Sequence, residues 1–341
     1  MRLSGLIAAL SAASLLVGAG ASAADFEWKF NNGLPETRGE SQELNAFAEE
    51  VAKASDGRMQ IQVYHGGSLG LKNEDVLRWL PSGVSEMGLV WANYVGRDAP
   101  ELNAIYIQGS VGSPEEHLRA LPVIRDIYEQ EFGKWDIVTA GFMALPMLEA
   151  SIFCTDTPVR TLADLKEKKL RVWSKDQVDT FDRLGVSAQI IPQTEMYVAL
   201  RTGVVDCAVY PALFAHTVSL QEVAKYASYL YPIASLPYVL GVSKQKWDGL
   251  PDDLKQAVRD AAAEVWSRTN EYADDHEREL AARQKLVGQG VEWLDDFPPE
   301  DQRAFLDAAA ETWAAAGLSR PGAEGDRALE RQPIGKTDLR P

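Results

Sequence analysis

From residue 161 to 211 the chain keeps changing its hydrophobic period. TLADLKEKK reads as helix, LRVWS as strand, KDQVDTFDRLG as helix, AQIIP as strand, TEMYVALRTG as helix and VVDCAVYP as strand. Short apolar strands separated by helices are best joined as parallel neighbours with crossover connections. The same alternation occurs earlier. FEWKFNN (26–32) and MQIQVYHGG flank a segment in which Leu44, Phe47, Ala48 and Val51 share a helical face that Gly57 ends. KNEDVLRWLPSG then reads as a short helix before the buried strand of SEMGLVWANYV. Two runs of this kind predict an α/β protein of two lobes, each a parallel-dominated sheet flanked by helices.

At 341 residues the chain suits two lobes better than one core. A helical region at 114–132 and the strands DIVTAGFM and EASIFCTD stand between the runs, and SLPYVLGVSKQKWDGLP reads as a strand that recrosses to the first lobe. Residues 251–287 read as one long helical stretch, with Leu254, Val258, Ala262 and Val265 on one side. The expected division is lobe I at 24–148 plus 240–275 and lobe II at 149–239 plus 276–317. Residues 318–341, rich in Pro, Gly and charge, are expected to form a loose tail.

Residues 1–23 stand apart. Arg2 precedes an apolar run at 5–18, and Ala21-Ser22-Ala23 has the small residues of a cleavage site. A signal peptide cut after Ala23 is expected, hence a periplasmic protein. Loss of Arg2 takes the formal charge from −16 to −17, an acidity that argues against nucleic acid as a partner. An anion site must then be a local positive island. Cys154 and Cys207 are the only cysteines, compatible with one disulfide or with two buried thiols, and His65, His117, His216 and His276 are scattered. No metal or cofactor is expected. No HExxH pair is present, and no catalytic residue is assigned.

Arg171 is the residue that asks for an explanation. In LRVWS, Leu170 and Val172 point to one side of a strand, and Arg171 and Trp173 to the other. A guanidinium in an apolar run needs an anion or hydrogen-bond acceptors. A ligand could supply the anion, or a structural ion pair with Asp206 or Glu195 could. Thr161 is placed to cap one helix, and Thr194 and Gly203 to open and terminate another. No turn of that kind calls for an arginine at 171.

The segment 161–211 resembles the substrate-binding proteins of tripartite ATP-independent periplasmic (TRAP) transporters of the DctP type. The resemblance is carried by Ala163-Asp164-Leu165-Lys166, Arg171-Val172, Leu184-Gly185, Glu195, Tyr197, Ala199-Leu200, Gly203 and Asp206. FAEEVAKASDGRMQIQVYHGGSLG and DVLRWLPSGVSEMGLV extend it, to about 25–315. It implies a type II-like periplasmic binding fold with a long helix across both lobes. It also implies that Arg171 holds a ligand carboxylate, a task suited to the rigid guanidinium fork. Tyr210 stands where the family often has an asparagine. The strand at 148–153 lacks the second arginine that some members carry, so a monocarboxylate, aromatic or partly apolar, is expected rather than a dicarboxylate. Trp173, Tyr210, Trp91, Asn93, Tyr94, Phe214 and Tyr238 are the expected further cleft residues. The resemblance implies a monomeric receptor that hands its acid to TRAP membrane permease subunits. The alternatives are a receptor for an ATP-driven importer or sensor kinase and, more remotely, an exported enzyme.

Overall fold

The computed structural model describes residues 24–99, 102, 107–109, 114–233 and 236–318. The expected signal peptide and most of the expected tail lie outside them. Eleven strands are present among these residues: β1 (Phe26–Asn31), β2 (Met59–Tyr64), β3 (Met87–Val90), β4 (Ile137–Met143), β5 (Leu148–Cys154), β6 (Leu170–Val172), β7 (Ala188–Ile190), β8 (Cys207–Pro211), β9 (Tyr226–Ile233), β10 (Tyr238–Ser243) and β11 (Glu292–Trp293). They form two sheets, ordered β2-β1-β3-β10-β4 and β11-β9-β5-β8-β6-β7. The two-lobed α/β architecture is as expected, and the segment around 238–243 does return to the first lobe.

The sheets are more mixed than their run of crossover helices implied. β1 pairs in parallel with β2 and β3, but β10 lies antiparallel to both β3 and β4. In the second sheet β6, β7 and β8 are parallel, as are β9 and β11, while β5 runs antiparallel to β8 and β9. The antiparallel pairs all involve β5 or β10, the strands that receive the chain as it passes from one lobe to the other. No crossover helix sets their direction.

Local signals act where the chemistry demanded. Thr161 accepts from the Asp164 amide, and Asp164 bonds back to the Thr161 amide, a capping box for the helix Leu162–Lys166. Gly203 has φ +72° just past the helix Gln193–Arg201, a conformation glycine adopts without Cβ strain. Thr194 is no cap, because that helix begins two residues earlier than Glu195, after Pro192.

The long helical stretch is two helices, Asp252–Thr269 and Asp275–Gly288. The first packs on β4 and on the helix Gly39–Ala54, the second on β5 and on the short helix Ala212–Ala215. The break is laced to the β4–β5 connection from both sides. Thr269 Oγ1 accepts from the Ala144 amide at 3.0 Å, and an Asp275 carboxylate oxygen accepts from the Met147 amide at 2.7 Å. Buried Tyr272 packs between them, against Leu121 and Ala144. The segment between the two helices, NEYAD (270–274), contains neither Gly nor Pro, so no breaker residue marks it.

Cys154 and Cys207 form a disulfide between register partners on β5 and β8, with Cα atoms 4.1 Å apart. Both are buried. Of the two states left open by composition, the antiparallel pairing of these strands selects the bridge.

Candidate functional site

A cavity of about 300 Å³ lies where the C-terminal ends of β1, β2 and β3 face those of β6, β7 and β8. This is where open α/β sheets place their ligands. Arg171 lines it from the middle of β6 and is only 1% exposed. Leu170 and Val172 point into the lobe's core, which turns Arg171 to the opposite face. Its Nε donates to the Ile191 carbonyl at 2.8 Å and one terminal nitrogen to the Val209 carbonyl at 3.2 Å. No carboxylate among the described residues pairs with it. Asp206 accepts from the Lys169 amide, and Glu195 lies 3.7 Å from Lys72, so neither structural partner considered for Arg171 reaches it. Burial pulls the Arg171 pKa below its ordinary value, opposed only by the Tyr94 and Tyr210 phenols. A charge fixed by two carbonyls and lacking a counter-ion is arranged to receive an anion.

Aromatic side chains form the walls. The Arg171 Cζ lies 5.7 Å from the centre of the Trp173 ring and 5.9 Å from that of Tyr210. Trp91 and Tyr238 pack at 5.0 Å on the opposite side, from the first lobe. Tyr94 and Phe214 also line the space. Tyr210 donates to Gln193 Oε1 at 2.8 Å, and burial pushes its pKa up to about 12, so it remains a phenol. The structure thus brings together Arg171, Trp173, Tyr210, Trp91, Tyr94, Phe214 and Tyr238. Asn93 does not join them. It is buried but outside the cavity lining, because the 3₁₀ turn Ala92–Val95 puts Trp91 and Tyr94, three apart, on one side and Asn93 on another.

Arg38 and Gln108 are among the polar cavity residues that escaped the sequence reading. Arg38, just before the helix Gly39–Ala54, is 2% exposed, and its guanidinium lies 3.4 Å above the centre of the Phe214 ring in the other lobe. Its charge is met by Glu40, which accepts from both Nε and a terminal nitrogen. Burial lowers the Arg38 pKa, but Glu40 outweighs it and holds Arg38 above its ordinary value. Gln108, in a short stretch between strands, also lines the cavity. Neither sits in a periodic element, so only the fold reveals them. Arg97, three residues beyond Tyr94, is exposed, bonded to Asp98 and outside the cavity lining.

The profile of the DctP family, "Bacterial extracellular solute-binding protein, family 7", matches residues 30–318. The chain belongs to that family. It is 28% identical over 301 residues to the C4-dicarboxylate-binding periplasmic protein DctP of Rhodobacter capsulatus, covering 84% of this chain and 86% of that protein. A TRAP solute-binding protein from Chromohalobacter salexigens, solved with bound D-glucuronate, matches with TM-score 0.76 and 25% identity over 89% of this chain and 98% of that one. DctP7 of Bordetella pertussis, an extracytoplasmic receptor binding pyroglutamic acid, matches its fold with TM-score 0.78 at 23% identity, over 90% and 99% of the two chains. This DctP protein is therefore an extracytoplasmic solute-binding receptor and not an enzyme. Receptors of this family bind small organic acids and work with membrane permease components. No described helix is long and apolar enough to cross a membrane.

Behind the cavity of this DctP receptor, Glu279 holds the Phe214 wall. Its two carboxylate oxygens accept from the Ala212 and Leu213 amides at 2.9 and 2.8 Å, at the start of the helix that carries Phe214. Arg283 lies one turn on, shared with Glu149. Burial pushes the Glu279 pKa from 4.5 to about 7, against the pull of those amides and of Arg283. Between these two values the folded chain retains a proton that the unfolded chain has released. Its contribution to stability is thus greatest below pH 4.5 and declines as pH rises through 7, by on the order of 3 kcal/mol at most. Glu279→Gln is expected to flatten the fall in melting temperature between pH 5 and 7.5. An unchanged slope would assign that pH dependence to other groups.

Proposed function

We propose that this receptor captures a monocarboxylate, held by a bidentate pair with Arg171 between aromatic walls, and delivers it to a permease driven by an ion gradient. The observation that carries the reading is the buried Arg171, bonded to two carbonyls and to no acid. The other buried arginine of the cavity is neutralised by Glu40, which leaves Arg171 as the buried guanidinium of the lining that no acid meets. A second carboxylate would meet a pair of zero net charge and the acidic member of it. The glucuronate and pyroglutamate seen in the structural relatives also carry one carboxylate each. Apolar burial against Trp91, Trp173 and Phe214 adds affinity at roughly 25 cal/mol per Å² before the costs of association.

Co-purified ligand identified by native mass spectrometry, followed by calorimetry on monocarboxylates and their dicarboxylate counterparts, tests this. A monocarboxylate is expected to bind at least about tenfold tighter than the matched dicarboxylate. A preference for the dicarboxylate would overturn the reading.

A further inference from the structure

The walls of the cavity are less apolar than their aromatic rings suggest. Gln108 is 1% exposed and lines the cavity, and neither its amide nitrogen nor its amide oxygen has a hydrogen-bond partner among the described residues. Trp173 lines the same space, and its indole Nε1 is likewise buried without an acceptor. An unsatisfied buried polar atom is costly to a fold, and such atoms are uncommon in folded proteins. Here these three, together with Asn73 Oδ1, border one cavity, alongside Arg171.

They are also held in place. The backbone amide of Gln108 donates to Asp176 Oδ2 at 2.9 Å, and that of Trp173 donates to Gln177 Oε1 at 3.0 Å. Asp176 and Gln177 are adjacent residues in the first turn of the helix Lys175–Arg183. Gln177 is itself fixed, its amide nitrogen donating to the Tyr231 hydroxyl at 2.8 Å. One helix start therefore sets the backbone position of both side chains, on the lobe that supplies Arg171. Residues held this way are suited to reading a ligand rather than adapting to it.

Asn32 makes a useful contrast. It also lines the cavity, but its amide is already bonded to Ser41, His65 and the Leu34 amide. Its capacity is taken up by the scaffold, whereas that of Gln108 and Trp173 is not.

Building on the monocarboxylate reading, we propose that Gln108 and Trp173 form a neutral polar subsite. The ligand is then a carboxylic acid whose body bears an uncharged group that both donates and accepts hydrogen bonds, such as a hydroxyl or a ring amide. A plain hydrocarbon or phenyl acid leaves the Gln108 amide and the indole N–H unpaired. A site built to hydrogen-bond rejects such an analogue far more strongly than an apolar pocket rejects a missing methylene.

The test is calorimetry on matched pairs, pyroglutamate with cyclopentanecarboxylate and mandelate with phenylacetate. The polar member of at least one pair is expected to bind ten- to a hundredfold tighter than its unsubstituted partner. Gln108→Leu is expected to reduce that ratio to about threefold or less, and Trp173→Phe, which keeps a ring but removes Nε1, to narrow it. Equal binding within both pairs, or a ratio untouched by both variants, overturns the subsite and leaves the monocarboxylate reading standing. If no member of either pair binds, the monocarboxylate reading falls and this inference with it.

Discussion

Arg171→Ala is expected to weaken ligand binding by about a hundred- to a thousandfold, on the order of 3–4 kcal/mol. The size follows from burial. Removing one member of a desolvated, hydrogen-bonded charge pair leaves the other charge in the cavity without its partner, and much of the loss comes from that abandoned carboxylate. Arg171→Lys should fall well short of rescue. An ammonium on a flexible stem cannot bond to the Ile191 and Val209 carbonyls and still offer a planar fork. Stability should move differently from affinity. Burial already disfavours the guanidinium, so Arg171→Met is expected to leave the melting temperature of the ligand-free protein no lower while abolishing the rise caused by ligand. Calorimetry and thermal unfolding on the same preparations separate the two effects. Wild-type affinity in Arg171→Ala would remove the arginine from the binding site.

The second large effect belongs to the disulfide. Cys154 and Cys207 are 53 residues apart in sequence, and a closed loop of that length stabilises by about 4 kcal/mol in the chain-entropy account. The enclosed segment contains β6 and β7 as well as Arg171 and Gln193, so the bridge limits the unfolded freedom of much of the site. Cys154→Ala combined with Cys207→Ala is expected to lower the melting temperature by roughly 10 °C. A change below about 2 °C would mean that the adjoining strand pairs hold the register unaided.

Much of the site was legible in the sequence, because β6 is short and its alternation unambiguous. Once Leu170 and Val172 are assigned inward, Arg171 and Trp173 share the other face. Residues beyond strand ends, such as Trp91 and Phe214, follow from the rule that α/β sheets bind ligands there. Asn93 shows the limit. In a 3₁₀ turn one residue of register decides between cavity and core, and no pattern of burial in WANYV fixed it. Arg38 and Gln108 mark another limit. Both reach the cavity from irregular segments, where neither a period of 2 nor one of 3.6 assigns a face. The helix break at 270–274 was hidden for a different reason. Its determinants are hydrogen bonds that Thr269 and Asp275 accept from a linker more than a hundred residues away, a tertiary effect that overrides local propensity.

The solitary charge of Arg171 bears on the economy of transport. A receptor that closes without cargo could occupy its permease and deliver nothing. Closing the cleft strips water from the guanidinium, and if no anion is present that desolvation has only two carbonyls to offset it. Closing around a carboxylate meets no such barrier. Under the proposed function, the arginine assigned to the ligand would thus also discriminate against unloaded closure, so that the permease would be offered chiefly receptors worth unloading.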